Sequence, residues 1–279
     1  MNGLTIFALD LAAYTCSRIS CSCCAGLIVS LVKHTCTNWR MLFAVIFAVP
    51  LLTGCVAAPT VPLSSLSYRS DDNTRQRNLL VLLRGYGADN HIFAEQGIID
   101  EIRKRRLPFD IIAPDAHYGY YQSQTIETRL KQDIIDPARR QGYERIWLSG
   151  FSMGGLGCIL YLRQYPHDID GVLLTSPFLG GSSIHREIRR AGTVAAWSNT
   201  SEDPNDWERM LWSWIKHYDP ATATPVWLGY GNNDTVTADG PPLLATVLPS
   251  ERVFTLPGNH SIATLKAIFL RHLDHLPAR

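Results

Sequence analysis

Residues 145–164 read RIWLSGFSMGGLGCILYLRQ, and this stretch decides the fold. Its first part, Arg145 to Ser149, is a short apolar run of the kind that forms a strand covered on both faces. Its last part, from Met153 to Gln164, has a helical pattern. Between them lies Gly150-Phe151-Ser152-Met153-Gly154-Gly155, of the form G-x-S-x-G-G. A serine in so tight a strand-to-helix turn needs small neighbours, because side chains at Gly150 and Gly154 would collide with the adjoining strand and helix. The turn exposes the hydroxyl of Ser152 and sets it near the positive end of a helix, which favours the anion that develops in acyl transfer. Ser152 is therefore the candidate nucleophile.

On either side of this stretch the chain alternates between the same two patterns. Strand-like runs occur at Asn78 to Arg84, Phe109 to Pro114, Gly171 to Thr175, Pro225 to Tyr230 and Arg252 to Leu256. Helical patterns fill roughly Asn90 to Arg105, Thr125 to Arg140 and Ser261 to Leu276. This alternation predicts βαβ units and a mostly parallel, doubly wound α/β sheet with helices on both faces. The exception is a Trp-rich stretch from about Pro177 to Pro225, an insertion expected to cover one end of the sheet. Its aromatic stripe, Trp207, Leu211 and Trp214, suits either packing or a cap over a site. Residues from about Ala57 to Asn78 read as a polar linker.

A serine hydroxyl is a poor nucleophile at neutral pH and needs a base, which in turn needs an orienting carboxylate. His260 follows the strand-like run ending at Leu256, in Pro257-Gly258-Asn259-His260. Asp234 lies in the turn Gly231-Asn232-Asn233-Asp234 after the run ending at Tyr230. Both stand at strand carboxyl ends, where an open α/β sheet gathers its site. His217, His272 and His275 lack that placement, and Asp206 and Asp219 are the substitute acids. The amide of Met153 is one candidate oxyanion donor. The amide of Tyr86, in the glycine-rich turn Arg84-Gly85-Tyr86-Gly87, is the other.

The ordered set Arg84-Gly85-Tyr86-Gly87, GFSMGG, Asp234 and His260 resembles the α/β-hydrolase superfamily, particularly its compact carboxylesterase-like members, over about Asn78 to Arg279. Relatives often carry His before the oxyanion glycine, where this chain has Arg84. The antiparallel strands that open larger members have little room before Asn78, so a reduced sheet of about six or seven strands is expected. The resemblance implies ester or thioester hydrolysis by Ser152, His260 and Asp234 on a small-molecule substrate, with no metal or organic cofactor. A peptidase, a non-hydrolytic member of the superfamily and a non-catalytic surface binding lipoprotein are the alternatives.

The chain has 279 residues, is 46% hydrophobic and carries a formal net charge of +1, so one ordinary domain can bury a core and no nucleic-acid partner is indicated. Six of its seven cysteines precede the globular part, and Cys158 is left as a small buried hydrophobe. Met41 to Thr53 is an apolar run too short to span a bilayer comfortably but suited to a signal peptide, preceded by Lys33 and Arg40. The junction Leu52-Thr53-Gly54-Cys55 resembles a bacterial lipobox. Residues 1–54 are thus expected to be a targeting region, with translation starting nearer Val32, and Cys55 to be the lipidation site of an outer-membrane lipoprotein in the cell envelope. Residues 55–77 would then be a lipid-anchored linker, and 78–279 the catalytic domain. Two or three acyl chains would hold such a protein to the membrane far more firmly than one.

Overall fold

The computed structural model describes residues 57–70, 77–201, 203 and 205–276. The apolar run Met41 to Thr53, the Cys55 junction and the start near Val32 lie outside them.

Seven strands form one sheet: β1 Ser65–Tyr68, β2 Asn78–Leu83, β3 Phe109–Pro114, β4 Arg145–Phe151, β5 Gly171–Thr175, β6 Val226–Gly231 and β7 Val253–Leu256. They are ordered β1-β3-β2-β4-β5-β6-β7. All neighbours are parallel except β1, which runs antiparallel to β3 with Ser65 opposite Pro114 and Tyr68 opposite Ile111. The doubly wound α/β sheet and its six or seven strands are thus found, with one correction. Part of the stretch read as linker is the antiparallel edge strand β1, which is too short and too polar to show in the pattern. Asp110 of β3 helps to hold its end, accepting from the Ser70 amide at 2.7 Å.

The helices are α1 Ile92–Glu95, α2 Ile98–Lys104, α3 Tyr118–Gln122, α4 Ile126–Arg129, α5 Asp136–Arg140, α6 Met153–Gln164, α7 Ser182–Arg190, α8 Trp207–Lys216, α9 Gly240–Ala245 and α10 Ile262–His272. β2 shows how the sheet uses them. All six of its residues are buried, with Leu80 and Leu82 packing among Phe93, Ile98, Ile102 and Phe269 of α1, α2 and α10. Leu83, one residue on, reaches Gly157 of α6 on the opposite face. A strand covered on both sides is apolar along its run, here from Leu79 to Leu83, which is why it lacks the alternation of a half-exposed strand.

Two expected helices are broken. The first divides at Gly97, whose left-handed φ of 64° ends α1 and starts α2. The second contains a π-helical turn, Leu130–Ile135, before α5. Pro137 lies in the first turn of α5 and has no N–H to return to the carbonyl four residues earlier, so the regular ladder cannot pass through it.

The insertion after β5 folds around α7 and α8. The buried face of α8 is Leu211, Trp212 and Ile215, whereas Trp207 and Trp214 are half-buried. The stripe read from the sequence was therefore displaced from the true packing face. Trp212 Nε1 donates to the Leu179 carbonyl at 2.8 Å, and the His185 ring nitrogen meets the same oxygen at 3.2 Å. Arg209 bridges Asp206 and Glu187, and Glu187 also accepts from Trp197 Nε1 at 2.8 Å.

His272, on the last turn of α10, is fully buried. Its Nε2 bonds the Leu174 carbonyl at 2.9 Å, and its Nδ1 has no partner among the described residues. Burial pushes its pKa down to about 3 from an ordinary 6.5. The unfolded chain therefore binds the extra proton first as pH falls, and stability declines below about pH 6.5 until His272 protonates in the fold near 3. The slope of unfolding free energy should reach about 1.4 kcal/mol per pH unit from this group alone. In urea titrations between pH 7 and 4, His272→Gln should flatten the loss of stability relative to wild type. Equal slopes would refute a buried neutral His272.

Candidate active site

β4 ends at Phe151 and α6 begins at Met153, so Ser152 carries the whole reversal. Its backbone sits at φ 53°, ψ −115°, a conformation that costs a non-glycine residue about 1–3 kcal/mol. The turn is held by its amide donating to the Thr175 carbonyl at 3.0 Å, and by its carbonyl accepting from the amides of Gly155 and Phe178, both at 2.9 Å. The flanking glycines are steric requirements. A Cβ on Gly154 would stand 2.2 Å from the Leu83 carbonyl oxygen, and one on Gly150 would stand 2.2 Å from the Gly154 carbonyl oxygen.

The glycine-rich turn after β2 passes directly beside the serine, since a Cβ on Gly85 would lie 3.4 Å from both Ser152 Cβ and the Phe151 carbonyl oxygen. Tyr86 is thus one residue from the point of contact, and its ring meets Tyr118 edge to face at 5.6 Å. Arg84 is buried. Its Nε donates to Asp115, just past the end of β3, at 2.7 Å, and its guanidinium also reaches the Gly85 carbonyl at 3.3 Å. The turn is thus braced by a cation.

Asp234 and His260 are brought together from the ends of β6 and β7. His260 Nδ1 bonds Asp234 Oδ2 at 2.7 Å, with side chains 11% and 2% exposed. The other carboxylate oxygen accepts from the amides of Val236 at 3.0 Å and Thr237 at 3.2 Å. Burial pushes the Asp234 carboxyl up, but the His260 hydrogen bond and charge, the Thr237 amide and the Ser176 hydroxyl together outweigh it, holding its pKa below the usual value. The two loops are tied by Asn232 N to Leu256 O and Asn233 N to Gly258 O, both at 3.0 Å. Among the described residues, no hydrogen bond links the Ser152 hydroxyl to His260. Such contacts commonly tighten only when substrate is bound.

The substitutes are engaged elsewhere. Asp206 caps α8 by accepting from the Arg209 amide, and Asp219 caps its own turn through Ala221 and Thr222. His217 bonds the Ser213 carbonyl within its own helical turn, and the His275 ring stacks on Trp227. No cluster of His, Cys, Asp and Glu among the described residues could hold a metal ion. Cys158 is fully buried, and desolvation pushes its thiol up, away from reactivity. The residues missed from sequence are Asp115 behind Arg84, and Ser176, which reads merely as the continuation of β5.

A parallel sheet with a strained serine at one strand end, and with an acid and a histidine at two others, has known counterparts. Residues 78–214 match the family model described as the alpha/beta hydrolase fold. The fold is the α/β-hydrolase fold. Solved structures with this fold include a ferulic acid esterase, at 13% identity and TM-score 0.54 over 76% of this chain and 96% of that one. A monoacylglycerol lipase from Paleococcus ferrophilus aligns at 20% identity and TM-score 0.52, over 76% and 97%. The fluorophosphonate-binding serine hydrolase F of Staphylococcus aureus aligns at 14% and 0.51, over 77% and 98%. No curated protein matches the chain.

In this α/β-hydrolase fold the approach of Gly154 to the end of β2 is as tight as that at Gly150, and the obstructing atoms are backbone and cannot swing aside. Gly154→Ala should cost about 3 kcal/mol or more. The urea midpoint measures this, and a variant as stable as wild type would show that the turn has room the structure does not allow it.

Proposed function

We propose that this protein is a serine hydrolase that cleaves a small-molecule ester or thioester through an acyl-enzyme. The hydrogen bond from His260 Nδ1 to Asp234 carries the reading. A neutral imidazole that donates from Nδ1 has its lone pair on Nε2, the atom that can act as a base toward a serine hydroxyl. Ser152 Oγ attacks the acyl carbon while His260 takes its proton. His260 then protonates the departing alkoxide or thiolate as the bond to the acyl carbon breaks. In the second half it deprotonates water, which attacks the acyl group, and the proton returns to Ser152 as the acid leaves. Asp234 keeps the imidazole oriented and balances its transient positive charge. The amides of Met153 and Tyr86 stabilise the oxyanion in both tetrahedral states.

The solved neighbours favour the ester class, being an esterase, a lipase and a fluorophosphonate-binding serine hydrolase by their titles. The setting is proposed from the sequence before the described residues. The apolar run Met41 to Thr53 followed by Gly54-Cys55 supports export and acylation of Cys55, which would hold the enzyme on a bacterial envelope membrane, the outer one by the absence of Asp at Val56.

Wild type should be labelled by a fluorophosphonate probe and should hydrolyse a p-nitrophenyl ester faster than the matching anilide. Ser152→Ala should lose the label. Asp234→Asn should lower kcat by on the order of 10⁴, since the amide favours the wrong imidazole tautomer. Unlabelled wild type, or a labelled Ser152→Ala, would exclude the mechanism. In cell fractionation, Cys55→Ser should move the protein from the membrane pellet to the soluble fraction, and its retention in the pellet would exclude the anchor.

A further inference from the structure

Arg84 follows the last residue of β2, and only 7% of its side chain is exposed. Its guanidinium is engaged in two directions. Nε donates to Asp115 Oδ1 at 2.7 Å, and a terminal nitrogen donates to the Gly85 carbonyl at 3.3 Å. Asp115 is a fixed post at the end of β3, since its amide donates to the Ser64 carbonyl and its carbonyl accepts from the His117 amide, both at 2.8 Å. The ion pair therefore ties the guanidinium to the sheet, and the guanidinium holds a carbonyl of the glycine-rich turn. That carbonyl belongs to the same peptide group as the Tyr86 N–H. A trans peptide is planar with its oxygen and hydrogen on opposite sides, so a bond that fixes the oxygen also fixes where the hydrogen points.

We propose that Arg84 is a positioning residue, which holds the Gly85–Tyr86 peptide plane so that the Tyr86 amide is presented to the oxyanion. The plane needs a hold because Gly85 and Gly87 flank Tyr86, and glycine has the widest backbone freedom of any residue. The turn also lies where a small rotation matters, since a Cβ on Gly85 would stand 3.4 Å from Ser152 Cβ. The charge adds to the geometry. A cation bonded to the carbonyl draws electron density from the amide nitrogen through the conjugated C–N bond, and this makes the N–H a stronger donor. Lysine would carry the charge on a single nitrogen, without the rigid fork that meets a carboxylate and a carbonyl in two set directions.

The catalytic consequence rests on the serine-hydrolase reading, whereas the hold on the peptide does not, and the test separates them. The NMR order parameter of the Tyr86 amide is compared in wild type, Arg84→Met and Arg84→Lys, together with kcat and KM for a p-nitrophenyl ester. In wild type the amide should be as ordered as those of β2. In Arg84→Met its order should fall, and kcat should drop about ten- to a hundredfold with KM unchanged, as for an oxyanion donor that is misplaced and not removed. Arg84→Lys should lie between the two, and it carries the test alone if Arg84→Met does not fold. An amide as ordered in the variants as in wild type would overturn the proposal. So would a loss that appears in KM with kcat intact, since that pattern belongs to a residue that binds substrate. If wild type shows no turnover and no fluorophosphonate label, the hydrolase reading fails, and the order of the Tyr86 amide still decides whether Arg84 holds the peptide.

Discussion

The molecule is organised around one close approach, the backbone of Gly154 lying under the Leu83 carbonyl at the end of β2. A helix can leave a strand this abruptly only if its first turn has no side chain between it and the next strand. That contact forces Ser152 into its strained conformation. It also brings the Gly85-Tyr86 turn against the serine, because Gly85 belongs to the same strand end that Gly154 touches. The strain is held by three backbone hydrogen bonds to Ser152. It persists because the packing of β2, β4 and α6 over-determines it.

Around this point the buried polar groups are arranged in compensated sets. Arg84 enters the interior with Asp115 beside it, so the cation that braces the glycine-rich turn is not left alone at a cost of several kcal/mol. Asp234 stays ionised in a buried place because its hydrogen bonds outweigh its desolvation. His272 takes the other route, remaining neutral on the apolar side of the sheet. Its imidazole bonds once and its Nδ1 has no partner among the described residues, so acid pH acts on the scaffold through this residue before it acts on the ionised Asp234.

The parts legible in the sequence were those imposed by backbone sterics and by burial on both faces. β2, β4 and β5 announce themselves because their interiors are runs of apolar residues, and Gly150 and Gly154 announce the turn because nothing larger fits. Asp234 and His260 are legible from position, each following a strand-like run. β1 was not, since a four-residue edge strand with partly exposed Ser65 and Ser67 has no reason to be apolar. The breaks at Gly97 and before Pro137 were visible as residues but lost within longer periodic patterns. The face of α8 was misjudged because tryptophan is bulky enough to be half-buried on several sides of a helix, and the side chosen depends on partners such as Leu179. Ser176 gave no signal, as its positive φ and its bond to the Gly231 amide arise only in the fold.

The same contacts join the insertion to the candidate site. The segment leaving β5 touches Ser152 through the Phe178 amide, and one residue later the Leu179 carbonyl receives Trp212 of α8 and His185 of α7. Phe178 also packs its ring near Trp207 at 6.2 Å. The Trp-rich insertion is therefore seated on the residues that flank Ser152, and its helices cannot shift without moving Leu179 against the buried carbonyl bonds that hold it. A change of residue in α7 or α8 reaches the serine through two peptide units, whereas one in α2 or on the outer side of α10 must pass through the packed sheet.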